Sequence, residues 1–130
     1  MEANTLLTAE TYLPSERNNS IIMKTQIPEI IEAYFRASNA DDIEGLVSCF
    51  SMDAVVIDEN ETHRGAAAIK AWSDKVRKKY EFKTEVLRAT QKPGAVVVTA
   101  KLSGTFPGSP VDLDFKFTLK GTRISSLEIG

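Results

Sequence analysis

The most constraining feature of this sequence is a series of strand-like segments in its C-terminal part, separated only by short turns. The clearest is residues 111–119, VDLDFKFTL, where apolar and polar side chains alternate almost strictly. Such alternation is typical of a strand with one buried and one exposed face. Lys92-Pro93-Gly94 and Lys120-Gly121 have the composition of turns between neighbouring strands. Consecutive hairpins predict a mostly antiparallel sheet.

Helical patterns come before that sheet. Apolar residues recur at helical spacing in three segments, which begin near Ile27, after Asp41 and after Gly65. We predict Asp41 as the N-cap of the second helix, whose apolar stripe runs to Phe50. Strands are predicted at residues 53–58, 82–89, 95–103 and 111–119 and from the Lys120-Gly121 turn to Ile129. The order is therefore α-α-β-α-β-β-β-β, which indicates an α+β domain with helices on one face of the sheet.

The length of 130 residues fits one domain with one hydrophobic core. Residues 1–22 are polar and show no sustained period, so we expect a loosely ordered N-terminal extension. The patterned part begins at Met23, which could itself be a translation start, and gives a predicted single domain over residues 23–130.

Charge and composition exclude several classes of protein. The 16 Lys and Arg residues against 18 Asp and Glu residues leave a net charge of −2, so a nucleic-acid partner is not expected. No apolar run reaches the roughly 18 residues that a membrane span requires. The N-terminus has no secretory signal pattern, and the single cysteine, Cys49, cannot form an internal disulfide. We therefore expect a cytoplasmic protein.

Most motifs that bind cofactors are also absent. The sequence has no phosphate-binding loop, no Rossmann glycine fingerprint and no pair of cysteines. His63 is the single histidine, which argues against a histidine-based zinc site. Neither a metal nor a cofactor is implied. A Cys49–His63 nucleophilic pair is conceivable, but a buried structural cysteine on the second helix is the favoured interpretation.

Asp58 is the most informative single residue because it ends the apolar strand Ala54-Val55-Val56-Ile57. Strand alternation places Asp58 on the same face as Ala54 and Val56, and both faces of this strand are apolar. A carboxyl group facing a dry interior is suited to proton transfer. The alternative is that Asp58 caps the turn at Glu59-Asn60 by local hydrogen bonds.

Two blocks, YFRASNADDIEGLVSCFSMDAVVIDE and THRGAAAIKAW, resemble the nuclear-transport-factor-2-like superfamily, especially its SnoaL-like and ketosteroid-isomerase-like branches. The resemblance covers about residues 24–130. It implies a cystatin-like cone, in which a curved, mostly antiparallel sheet wraps around helices and leaves a pocket at one end. The superfamily includes isomerases, cyclases and dehydratases as well as binding domains without catalysis, so fold alone does not assign activity.

The ketosteroid-isomerase pattern can be placed on this chain residue by residue. It implies Tyr34 and Asp114 as hydrogen-bond donors to an enolate oxygen and Asp58 as the base. In the isomerase, an apolar site keeps the aspartate at the third position neutral, so that it can donate, and the resemblance implies the same role for Asp114. Alternation in residues 111–119, however, predicts that Asp114 points away from the core, beside Lys116. The alternation therefore disagrees with the third position of the pattern.

Other residues are candidates for lining a substrate pocket, with core packing or solvent exposure as the simpler alternative for each. They are Trp72, Phe50, His63, Phe82, Phe106 and Phe115. His63-Arg64 has the position of a solvated turn before the third helix, with pairing of His63 to Asp58 as a minor alternative. The Phe106-Pro107-Gly108 loop could be a lid or a plain connection.

Two kinds of function remain open from the sequence. The first is an isomerase, cyclase or dehydratase that uses Asp58 as general acid or base on a small apolar carbonyl compound. The second is a module without catalysis that binds a hydrophobic ligand or another protein through the same cone; a nuclear-transport role is a lesser option. The superfamily commonly dimerises through the outer sheet face, so the resemblance also implies a homodimer.

Overall fold

The computed structural model describes residues 27–130 and contains three helices and one six-stranded sheet. The elements are α1 (Glu29–Asn39), α2 (Ile43–Ser48), β1 (Phe50–Asp58), β2 (Glu61–Arg64), α3 (Ala66–Lys79), β3 (Phe82–Lys92), β4 (Ala95–Gly104), β5 (Val111–Lys120) and β6 (Arg123–Ile129). The predicted α+β class and element order are confirmed, with the short strand β2 added. The expected extension at residues 1–22 and the domain start at Met23 lie outside the described residues.

The sheet has the strand order β2-β1-β6-β5-β4-β3, and only the β1–β6 pair is parallel. It curls around the helices and stays open between β2 and β3, which confirms the cone-shaped, mostly antiparallel sheet. Register shifts interrupt the β1–β6, β3–β4 and β5–β6 pairs. Irregularities of this kind bend a strand and increase its twist, which helps the sheet to curl.

The core lies between the helices and one face of the sheet, which we call the inner face. Strand β5 shows its orientation: Phe115 and Phe117 are buried, whereas Asp114 and Lys116 are exposed, as the alternation predicts. The largest side chains that are almost completely buried are Phe117, Ile31, Ile69, Ile124, Leu127, Val56 and Val98. Burial of such side chains stabilises a fold by roughly 1.5–3 kcal/mol each.

The predicted N-cap at Asp41 is wrong, because the cap of α2 is Asp42. Asp41 has a left-handed backbone conformation with φ of 56°, so it turns the chain before the helix begins. Asp42 Oδ1 accepts a hydrogen bond from the Gly45 backbone N–H at 3.0 Å. A Cβ atom on residue 45 would lie 2.2 Å from Asp42 Oδ2, so glycine leaves room for the cap. The predicted helical position of Phe50 is also wrong, since Phe50 begins β1.

The predicted turn at His63-Arg64 is wrong as well. These residues belong to β2, which pairs antiparallel with β1 from Val55–Arg64 to Asp58–Glu61. The turn is confined to two residues of positive φ, Glu59 and Asn60 at 53° and 64°. Positive φ at both central positions is the type I′ geometry that suits the twist of a two-residue hairpin.

Among residues 27–130, no helix has both the length and the apolar character that crossing a membrane would require.

Candidate functional site

Asp58 lies on the inner face at the end of β1, as the strand alternation predicts. Its register partners are Glu61 on β2 and Ile129 on β6, and Ile129 is in turn paired with the buried Phe115. Residues paired directly across strands share one face of a sheet. The half-buried Asp58 carboxylate therefore projects from the same side of the sheet as the core, where the β1–β2 hairpin begins.

The Asp58 carboxylate is held by a tryptophan on the facing helix. Trp72 belongs to α3, and its Nε1–H donates a hydrogen bond of 3.0 Å to Asp58 Oδ2. Within residues 27–130 this is the only hydrogen bond of the Asp58 side chain, and no Lys or Arg nitrogen lies within 4.0 Å of it. The side chain thus bonds to α3 and does not cap the Glu59-Asn60 turn. Its second oxygen, Oδ1, has no hydrogen-bond partner among these residues.

The bond between Trp72 and Asp58 is not among the sequence-based predictions, which assign Trp72 to pocket lining or core packing. A signal was present, since Asp58 lies on the inward side of its strand and Trp72 on the inward stripe of its helix. The sequence pattern does not show how α3 and β1 cross, and this crossing brings the two side chains together.

Tyr34 of α1 is buried, with 4% of its surface exposed. Within the described part of the chain, no group is hydrogen-bonded to its hydroxyl. Burial first, and then the negative charge of Asp58, raise the pKa of Tyr34 well above its ordinary value. Tyr34 is therefore a neutral phenol that can donate a hydrogen bond, and the negative charge of Asp58 helps to keep it protonated.

The Tyr34 ring belongs to an aromatic cluster in the core, formed by Tyr34, Phe35, Phe50, Phe115 and Phe117. Its centroid lies 5.1 Å from that of Phe35, 5.9 Å from Phe50 and 5.5 Å from Phe117, each in an edge-to-face arrangement. Phe50 and Phe115, both predicted to line the pocket, are 7% and 4% exposed. In this structure they are packed core residues beside Tyr34.

His63 lies beside Trp72, the residue that holds the Asp58 carboxylate. Its ring centroid is 6.1 Å from that of Trp72, and its Nε2 is 3.8 Å from Glu61 Oε1. The side chain is 20% exposed. The structure therefore groups Asp58, Trp72, His63 and Tyr34 on or against the inner face of the sheet.

Phe82 and Phe106 lie elsewhere. Phe82 begins β3 opposite Gly104, and the ring of Phe106 contacts that of Tyr80 with a centroid distance of 6.0 Å. Asp58 is linked to Val98 by successive register pairs across the sheet, so the two residues lie at the same level along their strands. Gly104 follows Val98 by six residues on the same strand. Six residues of strand span about 20 Å. These two aromatic residues are therefore not part of the group around Asp58.

Asp114 does not join that group either. It is exposed on the face of β5 opposite to Phe115, and its Oδ1 accepts a hydrogen bond of 2.6 Å from Thr99 Oγ1. Of the three residues that the isomerase pattern implies, Asp58 therefore lies on the inner face, Tyr34 packs against that face, and Asp114 lies on the opposite face.

Two of the cavities that border described residues lie away from Asp58, Trp72 and Tyr34. One of about 800 Å³ lies between α1, α2 and the β5–β6 turn. The other, of about 510 Å³, lies beside Arg77 and Phe82. The chemistry-bearing side chains and these two cavities are therefore separate features of the molecule.

Cys49 lines the larger cavity but has the properties of a structural residue. It is 3% exposed, and its Sγ donates a hydrogen bond of 3.4 Å to the Gly45 carbonyl. Burial raises the pKa of its thiol, which disfavours the nucleophilic thiolate. The described residues bring no three His, Cys, Asp or Glu side chains together in a way that could hold a metal ion.

The profile of the SnoaL-like domain family matches residues 31–126. A solved structure from Sinorhizobium meliloti, provisionally named as a polyketide cyclase, shares 40% sequence identity and superimposes with a TM-score of 0.79. The alignment covers 82% of this chain and 97% of that one. No curated protein sequence matches the chain.

More distant structures have the same fold. A Catenulispora acidiphila protein with a ketosteroid-isomerase-like fold, solved with trimethylamine, is 20% identical with a TM-score of 0.73, covering 81% of this chain and 86% of that one. A Xanthomonas campestris protein, also provisionally named as a polyketide cyclase, is 15% identical with a TM-score of 0.69, covering 77% and 85%. These comparisons agree with the curled sheet and the helix order described above. The chain belongs to the SnoaL-like domain family.

Proposed function

We propose that this protein is a cofactor-independent enzyme that moves protons on a small apolar carbonyl compound, as an isomerase, cyclase or dehydratase. The observation that carries this proposal is the state of Asp58: an inward carboxylate with one oxygen held by Trp72 and, among the described residues, with no cation beside it. The provisional name of the Sinorhizobium meliloti relative, polyketide cyclase, supports the same class of chemistry.

In the proposed reaction, Asp58 accepts a proton from a carbon next to the substrate carbonyl. The electron pair of the broken C–H bond moves toward the carbonyl oxygen, which becomes an enolate oxygen. Tyr34 donates a hydrogen bond to that oxygen, and its raised pKa keeps the proton on the phenol. Trp72 fixes the orientation of the carboxylate, so that one oxygen is directed to the substrate.

The second candidate is a module that binds an apolar ligand or a protein without catalysis. It is favoured by the aromatic cluster, which fills the interior beside Tyr34, and by the outward position of Asp114. The two candidates differ in one measurable property, which is whether Asp58 exchanges protons with a bound molecule.

We also propose a homodimer formed through the outer face of the sheet, and a cytoplasmic location. The outer face carries cross-strand pairs of opposite charge, with Lys101 opposite Asp112 and Lys116 opposite Glu128. A face that balances its own charges can meet a second copy without like-charge repulsion. Sedimentation equilibrium tests this: a dimer is expected, and a monomer at all concentrations would contradict it.

The test of catalysis is deuterium exchange into 2-tetralone, an apolar ketone with an acidic C–H bond, in D₂O. We expect the wild-type protein to accelerate exchange, and Asp58→Asn to slow it by roughly 10²–10⁴-fold, the usual contribution of a general base. Asp112→Asn is the matched control, because Asp112 is an exposed aspartate on the outer face, and it should retain the wild-type rate.

Ligand binding is measured in parallel through the fluorescence of Trp72, the single tryptophan of the chain. The ligand is 2-naphthol, whose phenol resembles an enol. Binding together with Asp58-dependent exchange supports the enzyme. Binding without any exchange supports the module without catalysis and rejects the proposed reaction.

A further inference from the structure

His63 is a second titratable side chain on the inner face, and the proposed reaction does not yet use it. It is paired with Val56 in the β1–β2 register, and Val56 is fully buried on the inner face. Because directly paired residues share a face, His63 faces the same interior. It is also the single histidine in the sequence, so any titration of an imidazole is its own.

The hairpin places His63 diagonally across from Asp58. Asp58 is paired with Glu61, and His63 follows Glu61 by two residues on the same strand. Diagonal neighbours of this kind are about 7–8 Å apart, within reach of long and aromatic side chains. The Trp72 indole contacts both side chains, since it is hydrogen-bonded to Asp58 and its centroid is 6.1 Å from the imidazole.

The other side chains near Asp58 are poor proton donors. Tyr34 holds its proton tightly because burial and the Asp58 charge raise its pKa. The indole of Trp72 donates hydrogen bonds but does not titrate. Histidine, by contrast, is the side chain that most often serves as a general acid or base in enzymes.

The charged groups that face His63 are carboxylates. Glu61 Oε1 lies 3.8 Å from Nε2 on the same strand, and Asp58 lies across the hairpin. On α3, the contacting residue is the neutral Trp72. Within residues 27–130, Glu61 is the single acidic side chain within 4.0 Å of the imidazole.

We propose that His63 is the second proton carrier of the site and acts as general acid while Asp58 acts as general base. This inference rests on the proposed function above. As Asp58 takes the proton from carbon, the C–H electron pair forms the enol double bond and the carbonyl oxygen takes a proton from the imidazolium, whose N–H bond breaks. The products are an enol, a protonated Asp58 and a neutral His63, and reversal of these transfers restores the ketone.

The experiment is the pH dependence of deuterium exchange into 2-tetralone by the wild-type protein, His63→Gln, Arg64→Gln and Asp58→Asn. In the wild type we expect a bell-shaped profile, in which the rate falls at high pH as His63 loses its proton. His63→Gln should lower kcat by about 10²-fold, with little change in KM, and remove the high-pH limb. Arg64→Gln is the matched control, since Arg64 is exposed and pairs with Val55 on the opposite face.

A measurement on the wild type tests the proposal even if the His63→Gln variant fails to fold. The pKa of the single imidazole is obtained by NMR titration, and it must coincide with the high-pH limb of the exchange profile. If the two differ, or if His63→Gln keeps the wild-type rate and profile while Asp58→Asn loses exchange, His63 is not the acid and the proposed function stands. If the wild type accelerates no exchange, both proposals fail.

Discussion

Arg77 and Asp58 are both charged side chains partly covered by the same fold, but their surroundings differ. The Arg77 guanidinium donates hydrogen bonds to the Ser38 carbonyl, to Ser38 Oγ at 2.6 Å and to the Phe82 carbonyl at 3.3 Å. It also pairs with Asp41 at 3.2 Å and lies over the Phe82 ring, 4.2 Å from its centroid. Only 13% of the side chain is exposed.

Asp58, by contrast, has one hydrogen bond within residues 27–130 and no counter-charge beside it. A charge with several partners within the fold stabilises that fold. A carboxylate with a spare oxygen carries an incomplete set of interactions, which a substrate can complete. Arg77 therefore joins α1, α3 and β3, whereas one oxygen of Asp58 has no partner among residues 27–130.

The largest effect on stability is expected from Arg77→Met. This change keeps much of the apolar stem but removes the Arg77 donors from the Ser38 and Phe82 carbonyls and from Ser38 Oγ; the Ser38 carbonyl retains its bond from the Asp41 backbone N–H. We expect a loss of about 3 kcal/mol in the free energy of unfolding. The measurement is urea denaturation followed by circular dichroism.

Lys78→Met on the same helix is the matched control, because within residues 27–130 Lys78 makes only an exposed ion pair with Asp74. It should change stability by less than about 1 kcal/mol. If Arg77→Met also changed the free energy of unfolding by less than about 1 kcal/mol, the contacts of Arg77 would not stabilise the fold, and the contrast with Asp58 would lose its basis.

A smaller effect is expected from Tyr34→Phe, which removes a buried hydroxyl that has no hydrogen-bond partner among residues 27–130. We expect stability at pH 7 to change by less than about 1 kcal/mol, or to rise slightly. Exchange into 2-tetralone should fall, because the enolate oxygen loses a donor. A marked loss of stability with unchanged exchange would instead assign the hydroxyl to the fold.

The stability of the wild type and of Tyr34→Phe at alkaline pH provides a second test of the buried Tyr34 phenol. The pKa of Tyr34 is raised in the folded protein, so the folded state holds this proton more tightly than the unfolded state. This contribution to stability is complete below the ordinary tyrosine pKa of about 10 and is lost above it, by at most about 1.4 kcal/mol per pH unit. The wild type should therefore lose more stability than Tyr34→Phe between pH 10 and 11, as urea denaturation would measure.

The orientation of Asp58 and of Asp114 could be predicted from the sequence because both lie in strands, where a period of two fixes the face of each side chain. The antiparallel sheet could be predicted because Pro and Gly mark the turns between its C-terminal strands. The strand Glu61–Arg64 could not, since ETHR has no alternation of apolar and polar residues and its pairing depends on the edge of β1.

Two further features depend on geometry that the sequence does not carry. Asp41 and Asp42 are the same residue type in adjacent positions, and the backbone angle of Asp41 decides which one caps α2. The bond from Trp72 to Asp58 joins a helix and a strand, so it depends on how the two cross. Local pattern therefore predicted the faces of the elements, and tertiary packing determined which side chains meet.

The smallest effect is expected from Asp114→Asn, and it tests whether the isomerase pattern extends to its third position. Asp114 is exposed, and the amide oxygen of asparagine can still accept the hydrogen bond from Thr99, so stability should change by less than about 0.5 kcal/mol. Because Asp114 points away from Asp58, exchange into 2-tetralone should keep the wild-type rate. A tenfold loss with an unchanged fold would mean that Asp114 reaches the substrate, and the inner face would then no longer define the site.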